Sequence, residues 1–153
     1  MAVQTEFGAL IGKTIGKSQW FSLDRARIRS FEQATADEHG DLAGAAADLD
    51  GPYGNSFMRG FVALSMLAEM IDDGLAQAGS AATPLELGID DIQFIATIPP
   101  DRRIRAVLDA VSTSQTAQDC PKVTLDVSVA VEGTNHPAIK AKCICLWQPH
   151  PAA

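Results

Sequence analysis

Residues 58–73 limit what this chain can fold into more than any other stretch. The run Met58-Arg59-Gly60-Phe61-Val62-Ala63-Leu64-Ser65-Met66-Leu67 continues to Asp73 and is apolar on nearly every side of a helix. Such a helix has to be enclosed by other structure. A glycine-punctuated loop, Gly51-Pro52-Tyr53-Gly54, leads into it. The first turn of a helix carries backbone N–H groups that no helical carbonyl satisfies. A glycine there, Gly60, would let a ligand approach the backbone closely. The segment therefore reads as a buried core helix with a donor site at its open end.

The rest of the chain supplies the enclosure. Ser22 is a good cap for a helix running to about Ala36, with Leu23, Ile28, Phe31 and Ala34 on its inner face. Residues 37–50 form a loop rich in Ala, Gly and Asp, and 76–84 a polar connection. The period then changes to two. Ile89–Ile98 reads as a strand, and Pro99-Pro100-Asp101 as a bend. Ile104, Ala106, Leu108 and Ala110 alternate with Arg103, Arg105, Val107 and Asp109. Val123, Leu125, Val127, Val129 and Val131 alternate with Lys122, Thr124, Asp126, Ser128 and Ala130. Glu132-Gly133-Thr134-Asn135 reads as a hairpin turn, and 138–148 as the last strand. Helices followed by a strand meander predict an α+β fold with an antiparallel sheet. With 153 residues and no linker, residues 1–153 are expected to form a single domain.

Charge and composition exclude several classes. The formal net charge is −7, against the clustered Lys and Arg that a nucleic-acid surface needs. No run reaches the length of a membrane span, and no basic-then-apolar leader stands at Met1. The three cysteines, Cys120, Cys143 and Cys145, lack a Cys-x-x-Cys spacing and read as reduced, packed thiols of a cytoplasmic protein. His39, His136 and His150 are scattered without ligand spacing, so neither metal nor other cofactor is expected. Trp20 and Trp147 read as packing residues.

The ordered set Ile11-Gly12-Lys13, Ser18-Gln19-Trp20-Phe21-Ser22-Leu23-Asp24, Phe31-Glu32-Gln33-Ala34-Thr35-Ala36-Asp37, Gly51-Pro52-Tyr53-Gly54, Gly60-Phe61-Val62-Ala63-Leu64-Ser65, Gly88-Ile89-Asp90-Asp91-Ile92-Gln93-Phe94 and Pro100-Asp101-Arg102-Arg103-Ile104-Arg105 resembles the MaoC-like (R)-specific enoyl-CoA hydratase/dehydratase family. The likeness runs from about Ile11 to Trp147. It implies a hotdog fold, a curved antiparallel sheet wrapped around one long central helix. It also implies an acyl-CoA or related thioester as substrate, and a homodimer or dimer of dimers.

The resemblance further implies a site. Asp37 falls where the family has a catalytic Asp that activates water with a His five residues later. Gly60 falls where a backbone N–H holds the thioester oxygen as it gains charge. Ser65 falls on a supporting serine, and Tyr53 and Arg59 flank the presumed pocket. This chain departs from the pattern at three polar positions. Leu42 stands where the His belongs, and leucine cannot move a proton. Arg59 replaces a His before the glycine, and Glu86-Leu87-Gly88 replaces Asn-Tyr-Gly. His39 in the same loop could fill the vacancy, or be a solvated loop histidine. Asp37 and Asp41 could share a proton as a carboxylate pair, or cap loop and helix ends. Arg59 beside a helix terminus would attract an anion, or else point to solvent.

Three functions stay open on these residues. One is a hydratase/dehydratase with a degenerate Asp/His site. The second is the same fold with divergent, pathway-specific chemistry built on Arg59. The third is a non-catalytic acyl-binding or partner subunit.

Overall fold

The computed structural model describes residues 8–35, 54–79, 82–99, 102–116 and 120–149. Its elements run β1 (Thr14–Lys17), β2 (Phe21–Ser22), α1 (Arg25–Ala34), α2 (Gly54–Ser65), α3 (Leu67–Gln77), β3 (Ala82–Phe94), β4 (Arg103–Gln115), β5 (Pro121–Val131) and β6 (Pro137–Pro149). All strand pairs are antiparallel, in the order β1-β4-β5-β6-β3, with β2 also on β4.

Period-two patterning builds this sheet. The expected inward residues of β4 and β5 (Ile104, Ala106, Leu108, Ala110, then Val123 through Val131 by twos) are all buried. Ile139, Ala141, Cys143, Cys145 and Trp147 continue the same face on β6. Against it lie Val62, Ala63, Leu67, Met70, Ile71 and Leu75 from the two helices. This is the antiparallel sheet of the α+β reading, curled around a central helical element as the family resemblance implies.

Several expectations need correction. The central rod is two helices, not one: it begins at Gly54 and breaks at Met66, whose N–H bonds the Ala63 carbonyl three residues back at 3.2 Å. Nor is it enclosed all round, since Phe61 is 39% exposed. The first helix is capped by Asp24, whose carboxylate accepts from the Arg27 N–H at 2.8 Å. Ser22 is drawn instead into β2, opposite Arg103. Of the inner face read for this helix, Leu23 is buried and Ile28 and Phe31 are partly buried against the core, while Ala34 is exposed.

The strand read at 89–98 spans 82–94. Long β6 lends its backbone to residues 82–85, pairing them up to Pro149. At the other end, the Ile95 and Ala96 N–H groups converge on the single Ala138 carbonyl at 2.7 and 3.2 Å, and the ladder stops.

The rod is held at a fixed depth by a backbone-to-backbone contact. A methyl group added at Gly16 would meet the Gly74 carbonyl, its carbon at 2.9 Å and its oxygen nearer still. Both neighbours are backbone and cannot swing aside. Gly16→Ala is therefore expected to cost about 1–3 kcal/mol, read as a lower urea midpoint at unchanged m-value.

Candidate functional site

Of the residues read as a site, Gly60, Arg59 and Ser65 fall in the described parts of the chain. Asp37, His39 and Asp41, together with Leu42 and Tyr53, lie outside the described residues.

The geometry at Gly60 differs from the expected open helix end. The helix begins six residues earlier, at Gly54. At 1.5 Å per residue Gly60 sits about 9 Å along the axis. The four bare amides of a helix are its first four, so the Gly60 amide falls within the i to i−4 ladder, opposite the carbonyl of residue 56. The earlier start also moves Arg59 off the terminus. Arg59 is half-buried beside buried Gly60.

A second residue explains why glycine stands there. The Phe94 ring fills the space a side chain would take, with carbons 2.8 and 2.9 Å from where a Cβ would stand. Phe94 also tilts at 44° against Phe61, ring centres 5.4 Å apart. Both rings keep about two-fifths of their surface exposed. The end of β3 thus lays an aromatic wall along α2 at the presumed pocket. Sequence reasoning passed over Phe94. Its signal was its place at the end of an alternating strand, opposite Ile139 in register.

Ser65 has a local role. Its hydroxyl donates to the Val62 carbonyl at 2.7 Å, inside its own helix. Such back-bonding satisfies the hydroxyl where the helix ends. Glu69 and Asp72 are exposed where α3 meets water. The part of the Asp72 carboxyl that packs on the protein loses some hydration, and with Glu69 adding repulsion its pKa is raised above the usual range. Asp73 accepts from the Gln19 N–H at 2.6 Å and ties α3 to the segment before β2.

Trp147 is core, as read. Trp20 is half-buried, and the Arg105 guanidinium lies 4.4 Å from its ring centre with that of Arg103 at 6.0 Å. Arg103 also grips Glu132 through two bonds, which holds that carboxyl below its usual range. Among the described residues no three His, Cys, Asp or Glu side chains cluster as a metal site. No described helix is long and apolar enough to cross a membrane.

A curled antiparallel sheet gripping a central helical element defines the hotdog class. No family model matches the chain. It is 28% identical over 142 residues to nodulation protein N of Rhizobium leguminosarum bv. viciae, covering 92% of this chain and 88% of that protein. It is also 28% identical over 145 residues to 3-hydroxyacyl-thioester dehydratase Z of Mycobacterium tuberculosis, covering 93% of each. The crystal structure of the MaoC-like dehydratase from Rhodospirillum rubrum superposes with a TM-score of 0.65 at 13% identity, over 93% of this chain and 94% of that one. Within the hotdog class, the chain is similar in fold to a MaoC-like dehydratase.

The fit of Phe94 on Gly60 is testable by a double-mutant cycle. Gly60→Ala alone should lose about 1–3 kcal/mol through overpacking. Adding Phe94→Leu should recover a good part of it, because the two residues touch. Additive losses in chemical denaturation would show that the ring does not limit residue 60.

Proposed function

We propose that the protein is a hydratase/dehydratase acting on an acyl thioester, with a site reduced from the family pattern. One observation carries this reading. The likeness to a 3-hydroxyacyl-thioester dehydratase extends over 93% of both chains, on a matching fold.

In the forward direction a base takes a proton from water, and the water oxygen bonds to the β-carbon of the enoyl group. The double-bond electrons move toward the thioester oxygen, and the α-carbon then takes up a proton. Dehydration is the same path reversed. Asp37 is the acid/base on this reading, helped by His39 or Asp41, with Tyr53 at the pocket edge. The oxygen that gains charge needs donors in a dry site. Arg59, half-buried next to Gly60, supplies a full positive charge there. The Gly60 amide would donate as a shared bond, since the helix already engages it. Ser65 stabilises the end of α2 rather than the reacting groups.

Asp37→Asn should abolish hydration of crotonyl-CoA, followed as loss of enoyl absorbance, while circular dichroism stays native. Leu42→His should raise the rate about tenfold or more, because a positioned proton carrier contributes on the order of 10²–10⁴-fold. Failure of wild-type protein to hydrate any of a panel of short and long enoyl thioesters would remove this reading.

Arg59 favours a second reading. A half-buried guanidinium in place of a histidine suits a substrate with its own carboxylate or enolate, in a divergent dehydration or cyclisation. Arg59→His combined with Leu42→His should then shift activity toward plain enoyl-CoA. Co-purification with a second hotdog chain that carries the His would point instead to a non-catalytic partner subunit.

The site is expected to work in a homodimer, or a pair of such dimers. β3 is 13 residues long and ends the sheet, hydrogen-bonded to β6 alone. It exposes Leu85, Ile89, Ile92 and Phe94, with Ile95 just beyond. A long apolar edge is a template for another strand unless something covers it. Antiparallel pairing of β3 with its own copy would cover it and close the aromatic wall from the other side. Leu85→Lys with Ile89→Lys should convert a dimer to monomer in sedimentation velocity. A stable wild-type monomer at micromolar concentration would contradict the assembly.

A further inference from the structure

β3 breaks its register with β6 between Asp90 and Gln93, and at Asp91 the backbone enters the left-handed region, with φ 51°. The bulge rises beside a groove of about 220 Å³ on the sheet face that points away from the core. Val127 and Ala141 floor the groove with backbone, since their own side chains are buried on the helix side. The sheet thus separates the groove from the helices and from Gly60.

The banks of the groove carry opposite charge. Asp109 and Asp126, direct neighbours in register on β4 and β5, form one bank. Lys140 and Lys142, two residues apart on the same face of β6, form the other. Like charges directly opposite on neighbouring strands destabilise a sheet, so the two carboxylates side by side favour a cation between them. Lys142 does not serve as that cation. It stands opposite Asp126 in register, yet among the described residues neither lysine closes an ion pair. The Asp109 carboxylate is aimed by the Thr14 hydroxyl, which donates to Oδ1 at 2.6 Å. Gln93 lies on the row of Lys140, and its side-chain amide donates to Asp91 at 3.3 Å, which ties the rim of the bulge together.

Unpaired charges of both signs across one groove suit a ligand that carries both. A simple anion would meet Asp109 and Asp126, and a simple cation would meet the lysines. A metal ion does not fit, because no three His, Cys, Asp or Glu side chains converge among the described residues. The volume, about 220 Å³, lies below the range of roughly 300–1,000 Å³ for drug-sized ligands. Spacing narrows the choice further. Side chains directly opposite across strands stand about 5 Å apart, and diagonal ones about 7–8 Å. The charges of an α-amino acid are too close together to reach both banks.

We infer that this groove binds a small ω-amino acid, its ammonium between Asp109 and Asp126 and its carboxylate between Lys140 and Lys142. Pairing of β3 with a second copy extends the sheet sideways and leaves this face open. The assignment does not rest on the thioester reading, since none of its residues belongs to that site.

The test is a proton–nitrogen NMR titration of the full chain with δ-aminovalerate, at fixed pH and low salt. Exposed charges each contribute little, so a dissociation constant in the millimolar range is expected. The largest shifts should fall on the amides of residues 126–128 and 140–142. Valerate and pentylamine each carry one of the two charges, and glycine carries both too close together. All three should bind about fivefold more weakly or worse. Asp126→Asn and Lys142→Gln should each weaken δ-aminovalerate by about the same factor. Asp126→Asn also removes the repulsion from Asp109, so the fold is expected to hold. Lys122→Gln, further along the same face of β5, should change nothing.

Valerate or pentylamine binding as tightly as δ-aminovalerate overturns the assignment. So do saturating shifts confined to other parts of the chain, variants at 126 and 142 that titrate like wild type, or the absence of any saturating shift.

Discussion

The contact between Gly16 and Gly74 is the constraint on which the rest of the structure turns. Two backbones meet there with no side chain between them, so α3 lies as close to β1 as a helix can lie to a strand. That depth lets Leu67, Met70, Ile71 and Leu75 reach the inward faces of β4, β5 and β6. Apolar burial of this kind is the dominant favourable contribution to folding. It also sets where α2 emerges from the core, and hence where Gly60 meets the end of β3. A bulkier residue at either glycine would shift both the core and the pocket wall.

Most of the sheet was legible in the sequence. β4 and β5 alternate cleanly because one face packs on the helices and the other meets water, so their periodicity carries its own evidence. The first half of β3 was not legible. Residues 82–85 are held in the sheet by the backbone of β6, and their own side chains say little. The break at Met66 was equally silent, since nothing in Leu64-Ser65-Met66-Leu67 is a helix breaker.

The candidate site was legible only by likeness. Arg59 and Gly60 stood out in the sequence, but the helix start that decides what their backbone can donate did not. Phe94 on Gly60, and Trp20 beneath Arg105, are products of contact between distant segments. No local pattern announces a neighbour thirty or eighty residues away. Ser65 shows the converse: a polar residue on an apolar helix invites a chemical role, and its hydroxyl turns out to serve its own backbone.

The one-residue interruption at Met66 divides labour along the rod. The C-terminal half anchors, with five buried residues against the sheet. The N-terminal half carries Gly60 and Phe61 against the Phe94 ring. A lineage with this joint can rewrite its chemistry in one half while inheritance of the other preserves the scaffold.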